Sequence, residues 1–178
     1  MLLMESDAFE DGGIVPPKYG CFGDNVQPGF RLSNVPDGTV SFALILHDID
    51  VALDGRVEDG SHWIVWNIPG SVREIPEGEL PKGAVVGENV EERNAYLGPG
   101  APPGPRYHHY VFELYALNSW LELPARAQRA GHRGQRLGRR VDHFEDRRAL
   151  HHLRPIGTRR VVSLGSRSGS SIRRIPSS

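Results

Sequence analysis

Five side chains have the types and order to build a binding site: Asp48, Asp50, His62, His108 and Tyr110. His108 and Tyr110 follow residues 98–105, three Gly and four Pro around one Ala, a backbone that can be neither helix nor ladder strand. A stiff loop thus delivers His108, His109 and Tyr110 to the mouth of a strand, where polar groups are more often functional than structural. Carboxylate, imidazoles, phenol and the amides of a Gly-rich turn together suit a small anion such as a phosphate monoester. Imidazoles and phenol donate hydrogen bonds, and loop N–H groups add dipolar donors. Asp48 can fix a histidine tautomer or raise its pKa, keeping positive charge at the site.

The same residues admit rival uses. Asp48 can cap a loop while the histidines are satisfied structural groups. Asp48, His62 and His108 can form a three-ligand zinc set with an open position, although no His-x-x-x-His or Cys pair accompanies them. Ser61 beside His62 suggests a hydrolase, although no Gly-x-Ser-x-Gly elbow occurs.

Strands must position these groups. Residues 40–50 alternate so that Phe42, Leu44 and Leu46 share a face with Asp48 and Asp50, while Ser41, Ala43, Ile45 and His47 take the other. Both faces are mostly apolar, which predicts a strand buried on both sides. The next strand is predicted over 62–68, after an exposed loop marked by Asp54-Gly55 and Asp59-Gly60. If the two pair antiparallel, Asp48 ends one where His62 begins the other, at one rim. Over 108–117 a third strand puts His108, Tyr110, Phe112 and Leu114 on one face and turns His109, Val111, Glu113 and Tyr115 to the other. Trp63, Trp66, Phe112 and Tyr115 read as core, and Cys21 as inert.

The flanking chain is turn-rich. Residues 1–12 read as a terminal segment with Phe9 as a small anchor, and 13–34 as short strands between turns. Residues 35–39, Val-Pro-Asp-Gly-Thr, form a turn in which Pro fixes φ and Gly supplies φ > 0. A short strand is expected at 84–86, followed by a solvated acidic run at Glu88, Glu91 and Glu92.

The 178 residues suffice for one core of ordinary size, with 38% hydrophobic and 24% charged residues, 21 Gly and 14 Pro. One cysteine excludes an intrachain disulfide and a cysteine zinc cage. No apolar run reaches the roughly 20 residues of a membrane span, and the first residues lack an export signal, so a cytoplasmic location is expected. The net charge of −1 hides a split: −11 over residues 1–120 against +10 over 121–178, where 14 Arg stand with no Lys. Residues 124–178 therefore read as an Arg-rich tail apart from a domain over 1–123. Within it, 161–164 have the pattern of a short strand, and the Ser, Gly and Arg composition from Gly165 predicts disorder. The abrupt change motivates the hypothesis of a reading-frame slip, which intact mass and gene resequencing test; an unchanged frame removes it. Nucleic-acid binding through the Arg residues is a further reading.

Ordered motifs also carry a resemblance. They are Phe9-Glu10-Asp11-Gly12-Gly13 with Pro16, Gly23-Asp24-Asn25-Val26-Gln27-Pro28, the 35–42 turn and strand start, and Asp48-Ile49-Asp50. His62-Trp63-Ile64-Val65-Trp66-Asn67-Ile68-Pro69, Tyr96-x-Gly98-Pro99, Pro102-Pro103-Gly104 and His108-His109-Tyr110-Val111-Phe112 complete the set. Over roughly residues 8–120 the chain resembles the phosphatidylethanolamine-binding protein family, especially its bacterial branch; the Raf kinase inhibitor protein is a eukaryotic relative. The resemblance implies a mainly β fold of the β-rich α+β kind: a large antiparallel sheet, a smaller sheet and a few peripheral helices. It implies non-enzymatic binding of a small anion or phosphate-bearing head group, without cofactor or metal. Partners it suggests are a kinase or other protein; a homodimer is a separate expectation. Carried over by position, Asp48, His62, His108 and Tyr110 line the pocket, with Gly98 and Gly100 contributing backbone. Ile49 and Ala52 stand where the family's Asp-Pro-Asp-x-Pro signature has prolines, and the motifs end near Pro124.

Overall fold

The computed structural model describes residues 1–50, 52–53, 56–57, 60–101, 107–125 and 157–164. Ten strands follow in order: β1 Leu3–Glu5, β2 Phe30–Ser33, β3 Ser41–Asp48, β4 Ala52–Leu53, β5 Arg56–Val57, β6 Gly60–Pro69, β7 Glu74–Ile75, β8 Val85–Val86, β9 His109–Leu117 and β10 Gly157–Leu164. A single 3₁₀ turn, Pro17–Tyr19, is the one helical element among the described residues. The architecture is mainly β, with every paired strand antiparallel.

The large sheet runs β10-β9-β3-β6-β8, and a smaller one runs β1-β2-β7. β3 is central because it can be: all eight of its residues are buried, so neither face nor edge needs water. Its alternation sends Phe42, Leu44 and Leu46 to the main core with Trp63, Val65, Phe112 and Leu114. Met4, Phe30, Leu32 and Ile75 of the small sheet, with Leu2 just before β1, close that core from the opposite side. Phe112 anchors it, with ring centroids 5.2 Å from Phe30 and 5.7 Å from Phe9. Truncating such a ring to Ala costs about 3–5 kcal/mol. Ala43, Ile45, Ile64, Trp66 and Leu117 form a second cluster on the other face of the large sheet.

Several boundaries differ from expectation. The terminal segment contains β1, whose three residues are too few for periodicity to reveal. Its Leu2 and Met4 are 2% and 1% exposed, so this end is part of the core along with Phe9. The loop expected between β3 and β6 carries the β4–β5 hairpin, and Gly60 already belongs to β6, paired with Asp48. The strand pattern at 161–164 extends to the eight residues of β10, in register with β9 from Gly157↔Ala116 to Leu164↔His109. The expected disorder from Gly165 lies outside the described residues.

Two irregularities shape β6. Opposite β3, Phe42 pairs Ile68 but Leu44 pairs Val65, so Trp66 and Asn67, the latter at φ 57°, stand against the single Ala43. The Asn67 side chain clamps the segment after β9, donating to Leu121 O at 3.0 Å and accepting from Leu121 N–H at 2.8 Å. The second irregularity falls at His62.

Candidate functional site

Leu46 pairs Trp63 and His47 pairs Ser61, which leaves His62 as the extra residue of a β-bulge. Strict alternation from Trp63 would turn His62 away from the main core. A bulge re-aims a side chain, and the His62 ring instead meets Tyr110 edge-on, centroids 5.1 Å apart. Asp48, the last residue of β3, lies directly across from Tyr110 in β9. His108 precedes β9, and its ring stacks on Tyr110 at 6.4 Å. Tyr110 therefore touches both imidazoles.

Each imidazole is pinned through Nδ1. His108 Nδ1 lies 2.7 Å from Asp48 Oδ2, with side chains 22% and 3% exposed. His62 Nδ1 faces Leu97 O at 3.1 Å and Gly98 O at 3.3 Å. Carboxylate and carbonyl oxygens only accept, so Nδ1 carries the hydrogen in both rings. Neither Nε2 atom takes a hydrogen bond among the described residues. Burial holds His62 below its ordinary pKa of 6.5, against the pull of the Asp48 charge and the two carbonyls.

Asp48 is satisfied on several sides. Its Oδ1 accepts the Asp50 N–H at 2.8 Å, forming a tight turn at the strand end. Tyr110 is pushed well above the ordinary tyrosine pKa, first by burial, then by the Asp48 charge, with a hydrogen bond to Asp48 also holding its proton. Its oxygen accepts the Gly100 N–H at 3.1 Å. Tyr110 thus orients Asp48 and the loop.

The loop wall is built by close approach. Tyr96, Leu97 and Gly98 form a strap beside His62, with Leu97 N–H donating to His62 O at 3.1 Å. Gly98 donates its N–H to Asn25 Oδ1 at 2.8 Å, and Asn25 Nδ2 reaches Tyr96 O at 3.3 Å. A Cβ on Gly98 would meet Tyr19 O at 2.1 Å, so no other residue fits. The amides of Gly98 and Gly100 are both engaged within the protein, and these glycines shape the wall instead of offering free N–H groups.

The structure thus brings together Asp48, His62, His108 and Tyr110, with Gly98 and Gly100 behind them. Asp50 departs from the expected set. β3 ends at Asp48, the chain bends, and Asp50 Oδ2 instead takes His109 Nδ1 at 2.5 Å and His109 N–H at 2.6 Å. His109 points away as parity predicted. Among the described residues no three His, Cys, Asp or Glu side chains converge as a metal set would. Sequence reasoning missed Asn25 and Cys21 as wall residues. The signal was the pair Gly98 and Gly100, glycines at alternate positions that imply a close neighbour without naming it.

A model of the phosphatidylethanolamine-binding protein family matches residues 5–142, continuing past Pro124 where the motifs end. A UPF0098 protein of Methanothermobacter thermautotrophicus is 38% identical over 125 residues, 67% of this chain and 79% of that one. Another, from Pyrococcus horikoshii, is 35% identical over 136 residues, and the match spans 72% of this chain and 66% of its relative's length. LppC of Mycobacterium tuberculosis, named as a lipoprotein, is 37% identical over 69% of this chain and 59% of its own. Among solved structures, the phosphatidylethanolamine-binding protein homologue CT736 of Chlamydia trachomatis has a TM-score of 0.69 and 28% identity, covering 92% of this chain and 95% of that one. YbcL of Escherichia coli shares the fold at a TM-score of 0.71 and 24% identity, covering 93% and 98%. The chain belongs to the phosphatidylethanolamine-binding protein family.

Proposed function

We propose that this protein binds a small anion or a phosphate-bearing head group between His62 and His108, without catalysing a reaction. The observation that carries the reading is the pinning of both imidazoles through Nδ1, which leaves two Nε2 atoms unbonded on rings that both contact Tyr110. Residues 1–120 carry a net −11, so long-range steering does not favour an anion. Local hydrogen bonds must do so.

Neutral His62 presents Nε2 as an acceptor. His108, anchored to Asp48 through Nδ1, presents a second Nε2. A phosphate monoester in its monoanionic form carries the P–OH proton that His62 Nε2 accepts. Regulation of a protein partner such as a kinase, self-association as a dimer and a cytoplasmic location belong to the same reading. No helix among the described residues is long and apolar enough to cross a membrane, and cell fractionation checks the compartment.

NMR titration with inorganic phosphate, phosphoethanolamine and ethanolamine tests the site. Saturable shifts of the His62 and His108 ring resonances with the first two ligands alone are the expected result. A silent pair of histidines overturns the reading. Stronger binding of phosphoethanolamine than of phosphate marks a head-group site, and equal binding a general anion site.

A further inference from the structure

Behind the 96–98 strap lies a cavity of about 370 Å³, within the roughly 300–1,000 Å³ typical of small-molecule sites. Trp63 and Tyr96, edge to face with centroids 5.3 Å apart, supply aromatic wall. Val26, Leu80 and Val86 add aliphatic surface. Burial keeps the Tyr96 phenol neutral, and its hydroxyl is given to Tyr19 O at 2.8 Å. No lining side chain carries a charge. The wall therefore offers nothing to an anion and much to an apolar molecule.

Two carboxamides are the exceptions in that wall: Asn25, already engaged by Tyr96 O and Gly98 N–H, and Gln27. Gln27 is 7% exposed, and its Nε2 donates to Pro76 O at 2.7 Å and Glu79 O at 3.0 Å. Those two carbonyls fix which end of the carboxamide is nitrogen, since they only accept. The oxygen takes no hydrogen bond among the described residues. That oxygen is not among the sealed polar atoms of the fold, and its side chain lines the cavity; an occupant that covers it without donating to it leaves an acceptor unsatisfied, which is costly. We propose that the cavity is a second ligand site, taking a compact, uncharged, mainly aromatic molecule whose single N–H or O–H donor meets Gln27 Oε1.

Titration of the full ¹⁵N-labelled chain with indole tests this. The expected result is a saturable shift of the Gln27 side-chain amide and the Trp63 indole N–H. 1-Methylindole has nearly the same shape but no N–H, and binds at least about tenfold more weakly if a buried acceptor is being satisfied. Leu80→Trp fills the cavity and abolishes the response. Val26→Phe fills it from another wall, so one folded variant, judged by a dispersed spectrum, is enough to decide. Equal affinity for the two probes overturns the proposal. So do shifts that survive filling, or no saturable shift at all, the outcome for a cavity holding only water.

Discussion

The sulfur of Cys21 occupies the place where a side chain on residue 100 would begin: a Cβ built on Gly100 falls 2.1 Å from Cys21 Sγ. Cys21 N–H also donates to Pro99 O at 3.0 Å, so the two segments are locked at this contact. Gly100→Ala is expected to destabilise the fold by about 1–3 kcal/mol through overpacking. Cys21→Ala leaves only its Cβ, 3.6 Å away and in ordinary contact. The double variant should therefore recover much of the loss in urea unfolding. Strictly additive losses would mean that the contact does not govern the loop.

Asp48 serves more donors than one carboxamide oxygen can. Asp48→Asn is expected to lower stability by about 1–3 kcal/mol, because a buried donor loses its acceptor and an N–H₂ faces other donors. Phosphate binding should weaken with it as His108 loses its anchor. Thermal melts and ring shifts of His108 measure the two effects separately.

The His62 pKa sets a direction for pH dependence. Burial lowers it below 6.5 in the fold, so below that pH the unfolded chain holds a proton the folded chain does not. Stability is then full above about pH 6.5 and declines as the solution is acidified. The melting temperature should fall between roughly pH 7 and pH 5, and His62→Gln should flatten that fall. An unchanged slope in the variant would remove His62 as its cause.

His109 provides the contrast. Its pairing with Asp50 is exposed, with side chains 48% and 37% accessible. His109→Ala should change stability by no more than about 1 kcal/mol and leave phosphate affinity as it was. Loss of binding in that variant would place the site on the wrong face of β9.

Alternation made much of this legible. Phe42, Leu44 and Leu46 against Ala43 and Ile45 sorted the two faces of β3, and the same counting separated His108 and Tyr110 from His109. It also placed Asp48 opposite the start of β6. His62 was harder, because its orientation depends on a bulge that exists only once β3 and β6 are paired. Asp50 misled, since a period of two holds only while the strand continues, and the strand stops at Asp48. Cys21 has no local signal at all. Its role comes from a glycine some eighty residues later that must come close.

The 96–98 strap meets a histidine through Leu97 and Gly98 and lines a cavity through Tyr96. It can hold only one conformation at a time. An occupant on either side that prefers one setting of the strap changes what the other side finds there. By thermodynamic necessity any such effect is mutual and equal in both directions. A single three-residue segment is thus the place where two binding equilibria would be read against each other.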